Sequence, residues 1–313
     1  MSSRSYAIIG TGAIGGFYGA CLQRSRHDVH FLLRSDYAEV QERGLIIESV
    51  QGDFTLPHVQ AYNDPVKMPA CDVAVVALKA TQNHILRQIL PHVLKDDGVV
   101  LLLQNGLGCE PEIAEIVGSR RVMGGLCFIC ANKVGAGHIR HLDYGAVKLA
   151  EYAPNYQACG ITEKMREIAQ DLETAGIPVE LGKDLARSRW EKLIWNIPYN
   201  GLSVVLDATT EEMMADKEMR LLITNLMQEV LLGAKSNGRE IPDSLVQKNL
   251  DHTDKMEPYL TSMKLDYDRK QPLEIEAIFG NPLRSAAAAG VSLPRIEMLY
   301  QQLKFLDRKN RKI

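Results

Sequence analysis

Apolar and polar positions follow two alternating patterns in the first part of the chain. Short apolar runs of strand length alternate with stretches in which apolar residues recur at helical spacing. The runs of strand length cover residues 6–9, 29–33, 71–79 and 97–106. Strands that alternate with helices form βαβ units, so this pattern predicts a parallel sheet covered by helices.

Further elements follow from the same patterns. Residues 44–62 predict a hairpin insertion with two strands around Gly52 and Asp53. Residues 121–152 predict more strands with glycine-rich breaks. Residues 161–182 predict an amphipathic helix that a glycine ends, followed by one last strand.

Strand signals stop at about residue 184, and helical patterns dominate beyond it. We therefore predict an α/β domain over residues 1–183 and an all-α domain over residues 184–313. A chain of 313 residues is long enough for two domains of ordinary size. Its 46% hydrophobic and 24% charged residues are typical of a globular protein.

Charge and hydropathy exclude several classes of partner. The formal net charge of −3 provides no basic field that would attract nucleic acid or an anionic membrane. No apolar run reaches the ~18–20 residues that a membrane-spanning helix needs. The first predicted strand begins at Tyr6, so we expect no signal peptide and a cytoplasmic location.

The cysteines and histidines do not predict a metal site. Cys127 and Cys130 form a C-x-x-C motif, but their segment is apolar and strand-like, so the two side chains would face opposite sides of a sheet. No second cysteine pair lies at the spacing of a zinc site. His138 and His141 are not part of an H-E-x-x-H motif. We interpret the cysteines as buried thiols.

A glycine motif links the first strand to the first helix. Gly10, Gly12 and Gly15 form G-x-G-x-x-G, in which the glycines allow a tight turn, close approach to a pyrophosphate and close packing of helix on strand. A second strand follows at residues 29–33, as in dinucleotide-binding units. The alternative is a glycine-rich turn in another kind of α/β protein.

The end of the second strand indicates which dinucleotide binds. NAD sites carry an acidic residue there, which accepts a hydrogen bond from the ribose 2′-hydroxyl. Here Arg34 occupies that place, and its planar guanidinium suits a 2′-phosphate, with Ser35 as a helper. We therefore predict NADPH/NADP⁺. Asp36 carries the competing NAD interpretation, and a solvated surface role is the alternative for Arg34.

Lys79 and Asn105 follow the next two predicted strands. Ligands of open α/β sheets bind beyond the carboxyl ends of the strands, so both side chains are candidates for contact with cofactor or substrate. Either residue could instead cap a neighbouring helix.

The helical half contains a polar stripe and a second polar cluster. Lys192, Asn196 and Asn200 are spaced i, i+4, i+8 on a helix that is otherwise apolar, which predicts a buried functional stripe with a kink at Pro198. The alternative is an exposed polar stripe. Farther on, Ser262 shares a helix face with Asp266, and Glu274 is predicted in the first turn of a helix after Pro272, where it could serve stability alone.

These motifs together resemble the ketopantoate reductase family, from the first strand to the helices near residue 300. The motifs that carry the resemblance are the glycine fingerprint at 10–15, Arg34, Lys79, Q-N-G at 104–106, K-x-x-x-N-x-x-x-N at 192–200, and Ser262 with Glu274. The resemblance implies an N-terminal Rossmann domain and an all-α C-terminal domain similar to that of 6-phosphogluconate dehydrogenases. It also implies NADPH-dependent reduction of 2-dehydropantoate to (R)-pantoate, on the route to pantothenate and coenzyme A.

The resemblance also implies residue roles. Lys192 would be the general acid, and Glu274 would bind the substrate hydroxyl and help to set Lys192. The implied substrate contacts are Asn105, Asn196, Asn200 and Ser262. The implied cofactor contacts are Gly10, Thr11, Gly12, Ala13, Ile14, Gly15, Arg34, Lys79, Asn105 and Glu274. Two alternatives remain: a reductase of another 2-oxo acid on the same scaffold, and a non-catalytic NADP-binding redox sensor. The large helical domain makes a homodimer plausible.

Overall fold

The computed structural model describes residues 4–256 and 260–311. Within them the chain forms two compact units. The first contains the residues up to Gln104 together with Cys109–Leu185. The second contains the short segment Asn105–Gly108 and the residues from Ala186 onward.

The first unit is built around one sheet, which has ten strands in the described part of the chain. The strands are β1 Ser5–Ile9, β2 Asp28–Leu32, β3 Leu45–Ser49, β4 Phe54–Leu56, β5 Gln60–Tyr62, β6 Cys71–Val76, β7 Leu94–Leu102, β8 Val122–Gly135, β9 His138–Glu151 and β10 Val179–Leu181. Their order is β4-β3-β9-β8-β7-β6-β1-β2-β5, and β10 pairs with β9. The pairs from β5 to β8 along this order are parallel, whereas β8–β9 and β3–β4 are antiparallel. The predicted hairpin around Gly52 is thereby confirmed.

Helices cover the sheet because each has an apolar face to bury. They are α1 Ala13–Arg24, α2 Tyr37–Arg43, α3 Leu86–Val93, α4 Cys109–Val117 and α5 Glu163–Thr174. The central strands are fully buried, as their unbroken apolar sequences predict; Ile8 and Phe31, for example, are 0% exposed. Gly19 allows α1 to lie close to this layer, since a Cβ atom there would be 2.6 Å from the Phe31 ring.

The second unit contains helices and connecting segments, and no strand among its described residues. Its helices are α6 Leu185–Leu206, α7 Thr210–Ala215, α8 Lys217–Ser236, α9 Ser244–Thr253, α10 Ser262–Asp268, α11 Asn281–Ala288 and α12 Pro294–Arg311. A π-helical turn, Glu276–Gly280, precedes α11. The helix α6 continues past Pro198. No helix among the described residues is long and apolar enough to cross a membrane. The predicted fold class, an α/β unit followed by a helical one, is confirmed.

Candidate active site

The glycine loop after β1 leaves space where a pyrophosphate would lie. Gly10 has φ +96°, a conformation that residues with side chains rarely adopt. A Cβ atom on Gly15 would overlap the carbonyl oxygen of Gly10, so only glycine lets α1 begin this close to the loop. At Gly12, in contrast, a Cβ atom would have no protein atom within 4 Å. The first N–H groups of α1, which starts directly after Gly12, can therefore receive a phosphate group.

A cavity of about 270 Å³ lies beside this loop, and its lining residues belong to the first unit. Pro65, Ile85 and Ile89 give it apolar surface of the kind on which a nucleotide base can pack. The polar side chains that line it are Arg34, Ser35, Asp36, Asn63 and Lys133. Of the residues predicted to contact the cofactor, Gly10, Thr11, Gly12 and Arg34 line this cavity. Lys133, which the sequence did not suggest, lines it with them.

Arg34 carries its positive charge at this cavity beside a neutral hydrogen-bond partner. Its side chain is exposed, and its Nη1 donates a hydrogen bond to the Gln82 amide oxygen at 3.1 Å. Because Gln82 is neutral, this bond orients the guanidinium and leaves its charge uncompensated. Such an arginine suits a phosphate group.

Asp36 is buried and already accepts several hydrogen bonds. Lys133 Nζ lies 2.6 Å from its Oδ1 and 2.5 Å from its Oδ2. The Gly137 N–H donates to Oδ2 at 3.0 Å, and the Ser35 hydroxyl donates to Oδ1 at 2.9 Å. Burial alone would raise the pKa of Asp36, but these donors outweigh it and lower the pKa below 3.8. Both oxygens are thus engaged inside the protein, which weakens the NAD interpretation.

Lys79 lies beyond the carboxyl end of β6. It is half-buried and occupies the N-cap position of the 3₁₀ turn Ala80–Ile85. The chain on both sides of it is fixed by Gln104, whose Nε2 donates to the Leu78 carbonyl at 2.9 Å and to the Asn83 amide oxygen at 2.7 Å. Lys79 therefore projects from a well-anchored turn.

The polar stripe of α6 lies inside the second unit. Lys192 is half-buried, while Asn196 and Asn200 are 3% and 2% exposed. Asn196 Nδ2 lies 3.4 Å from the Asn105 side-chain oxygen, so the stripe meets the segment Asn105–Gly108. The two asparagines are buried and Lys192 is half-buried, so the alternative of an exposed polar stripe is wrong.

Packing positions Asn105 from the other side. Gly106 has φ +95°, and a Cβ atom on it would overlap the Ala277 backbone. The Leu107 N–H donates to the Ala277 carbonyl at 2.8 Å, and the Asn281 side chain donates to the Leu107 carbonyl at 2.6 Å. The glycine of the Q-N-G motif is therefore required for this close approach.

Ser262 and Glu274 lie at two helix starts of the second unit. Ser262 is the first residue of α10, and the next backbone N–H, of Met263, lies 3.4 Å from the Asn200 side-chain oxygen. Glu274 is 5% exposed, and its carbonyl accepts the N–H of Ile278 at 3.1 Å. Glu274 therefore stands just before the helical residues, and its predicted place in a first turn is wrong by one position.

The thiols and histidines stay apart from these groups. Cys130 is buried, whereas Cys127 and Cys159 are only half-buried, which corrects the prediction for those two residues. All the cysteines are free thiols. Across residues 4–256 and 260–311, no group of three or more His, Cys, Asp or Glu side chains could hold a metal ion.

Comparison with known proteins decides the family. The family described as ketopantoate reductase PanE/ApbA matches residues 6–154, and its C-terminal counterpart matches residues 184–307. The chain belongs to the ketopantoate reductase family. A 2-dehydropantoate 2-reductase of Nostoc sp. is 62% identical over 311 residues, which cover 99% of this chain and 98% of that protein.

Two solved structures agree with this membership. A 2-dehydropantoate 2-reductase from Geobacter metallireducens has a TM-score of 0.92 and 40% identity, over 96% of this chain and 99% of its own. One from Methylococcus capsulatus has a TM-score of 0.87 and 32% identity, over 98% and 97% of the two chains. The resemblance inferred from the motifs is confirmed, and this ketopantoate reductase family member is an NAD(P)-dependent oxidoreductase.

The site residues of this family member fall into two groups. The glycine loop, Arg34 and Lys79 belong to the first unit and could hold the phosphates and ribose of a dinucleotide. The groups of the second unit are amide, hydroxyl, carboxylate and ammonium side chains. They are Asn105, Lys192, Asn196, Asn200, Ser262 and Glu274. Such a set can bind an oxygen-rich acid and donate a proton to it.

Proposed function

We propose that this protein reduces 2-dehydropantoate to (R)-pantoate with NADPH, a step in pantothenate and coenzyme A biosynthesis. The observation that carries the proposal is the buried stripe of α6, in which Asn196 meets Asn105 at 3.4 Å on the same helix as Lys192. Burial of two amide groups costs free energy unless their polar atoms are hydrogen-bonded, and a bound oxygen-rich acid would supply such partners. Membership of the ketopantoate reductase family indicates that the substrate is 2-dehydropantoate.

Lys192 is the proposed general acid. Bound NADPH would supply the hydride that adds to the carbonyl carbon at C2 of the substrate. Negative charge then develops on the carbonyl oxygen. The Lys192 ammonium stabilises this charge and donates one proton from Nζ to the oxygen, which yields the hydroxyl of the product.

The neighbouring side chains are proposed to position the acid. The amides of Asn196 and Asn200 and the hydroxyl of Ser262 are donors for the substrate's carboxylate and hydroxyl groups. Glu274 accepts a hydrogen bond from the substrate hydroxyl and, as an anion, favours the charged form of Lys192. Asn105 is assigned to both substrate and nicotinamide.

The first domain, residues 1–183, is proposed to hold NADPH, and residues 184–313 to hold the substrate. The loop from Gly10 to Gly15 takes the pyrophosphate, and Arg34 takes the 2′-phosphate. Lys79 takes a neighbouring phosphate or ribose oxygen. We further propose a cytoplasmic homodimer, which sedimentation of the purified protein would test.

The first test is NADPH oxidation by the purified protein on 2-dehydropantoate, beside 2-oxoisovalerate and pyruvate. Rapid turnover confined to 2-dehydropantoate is the expected result. Preference for another 2-oxo acid would mean that this acid, and not 2-dehydropantoate, is the substrate. Absence of turnover on all of them, with NADPH still bound, would favour the redox-sensor alternative and contradict the proposal.

A further inference from the structure

We propose that Lys133 binds the 2′-phosphate of NADPH together with Arg34, and that Asp36 positions Lys133 instead of binding the ribose. This inference rests on the proposed use of NADPH. It adds a specificity residue from β8, a strand far from the nucleotide motif in the sequence. The contact between Lys133 and Asp36 spans 97 positions of the chain.

The position of Lys133 is the first argument. Lys133 lines the same cavity as Arg34 and Ser35, and 31% of its side chain is exposed. Its ammonium is therefore held by a buried carboxylate, while part of the side chain is exposed at the cavity that Lys133 lines. An ammonium has three donors, and Asp36 accounts for two of them through Oδ1 and Oδ2. The third donor can reach an anion in the cavity.

The saturation of Asp36 is the second argument. Its two oxygens accept from Lys133, and each also accepts from a second group, Ser35 on Oδ1 and Gly137 on Oδ2. A ribose 2′-hydroxyl would have to displace one of these donors, and displacing Lys133 would leave a buried charge unpaired. Asp36 thus acts on the nucleotide through Lys133 and is a positioning residue.

Charge divides the work between the two cations. The Lys133–Asp36 pair is neutral as a whole, so its contribution is a directed N–H donor of an ionised group. Arg34, which donates a hydrogen bond to the neutral Gln82, contributes the uncompensated positive charge. We expect Arg34 to contribute more affinity than Lys133, and both to act on the 2′-phosphate alone.

The experiment compares the binding of 2′,5′-ADP and 5′-AMP, which differ only in the 2′-phosphate, by calorimetry and without any turnover. Lys133→Met is expected to weaken the binding of 2′,5′-ADP by about tenfold, the effect of one charge-assisted hydrogen bond. The affinity for 5′-AMP should be unchanged. Lys133→Arg is expected to retain most of the preference. The matched control is Lys95→Met, which removes a lysine from another ion pair, with Asp72 at 2.8 Å, outside the cavity.

A double variant separates the donor from simple repulsion. Lys133→Met alone leaves the Asp36 carboxylate uncompensated, and that charge could itself repel a phosphate. Asp36→Asn combined with Lys133→Met removes both charges. We expect the double variant, folded by circular dichroism, still to lose several-fold affinity for 2′,5′-ADP, and Asp36→Asn alone to bind 5′-AMP as the wild type does.

Three results would overturn the inference. Wild-type affinity of the double variant for 2′,5′-ADP would mean that Lys133 only neutralises Asp36. Weakened binding of 5′-AMP by the Asp36→Asn variant would mean that Asp36 binds the ribose directly. A wild-type protein that binds 2′,5′-ADP no more tightly than 5′-AMP would contradict the NADPH assignment itself, and the inference with it.

Discussion

The nucleotide cavity of the first unit and the polar stripe of the second are constructed in different ways. The cavity combines backbone, a loop with Gly10 at positive φ and a helix N-terminus, with side chains such as Arg34 and Lys133. The stripe is formed by side chains that project from one long helix, and its two asparagines are buried. Backbone sites are specified by a few local residues, whereas buried side-chain sites depend on everything packed around them.

This difference separates binding from chemistry. Changes in the cavity should alter which nucleotide binds and how tightly. Changes in the stripe should alter turnover or the stability of the helical unit.

The largest effect is expected from Lys192→Ala. Loss of the proposed general acid should lower turnover by about 10²- to 10⁴-fold, while the dissociation constant of NADPH stays unchanged. Single-turnover kinetics and fluorescence titration with NADPH would measure the two quantities. A variant that loses NADPH binding in parallel with turnover would place Lys192 in the cofactor site and erase the distinction.

Arg34→Ala should change the choice of cofactor and leave turnover nearly intact, the reverse of Lys192→Ala. Removal of the charge should reduce the preference for NADPH over NADH by about tenfold to a hundredfold, and turnover at saturating NADPH should remain close to wild type. The ratio of kcat/KM for the two cofactors measures the preference. Arg87→Ala is a suitable control, since Arg87 pairs with Glu115 at the surface, 67% exposed. An unchanged ratio in Arg34→Ala would return Arg34 to the solvated role.

Gly106→Ala tests how Asn105 is positioned. A Cβ atom there would overlap the Ala277 backbone, and φ is +95°, so we expect a loss of about 1–3 kcal/mol in the free energy of unfolding and a higher KM for the 2-oxo acid. Gly290→Ala is the matched control, because Gly290 has φ +77° but open space around it. Equal losses in both variants would mean that the backbone conformation alone, and not the packing against Ala277, sets the cost.

The sequence predicted the parts of the site that depend on neighbouring residues. The glycine loop and Arg34 lie within one βαβ unit, and the α6 stripe follows from helical spacing alone. Contacts between distant segments could not be read in this way. Lys133 meets Asp36 because β9 pairs with β3, which brings the end of the β8–β9 hairpin to the N-terminus of α2. Asn196 likewise meets Asn105 across 91 positions. Glu274 lies one residue before the helix that was predicted to contain it, and no local pattern in the sequence indicated the π-helical turn that follows.

The smallest effect concerns the acid stability of the first unit. The folded pKa of Asp36 lies below 3.8, since hydrogen bonds from Lys133, Gly137 and Ser35 outweigh the opposing effect of burial. The unfolded chain therefore binds more protons than the folded one in this range, and the stabilisation is present above the unfolded pKa and is lost as the pH falls through the folded pKa. Asp36→Asn should lack this dependence, so the difference in melting temperature between wild type and variant should shrink as the pH is lowered from about 5 to 3. A difference that stays constant over this range would mean that the carboxylate is not held by its donors. The ion pair that is proposed to direct Lys133 to the nucleotide would then be too weak to do so.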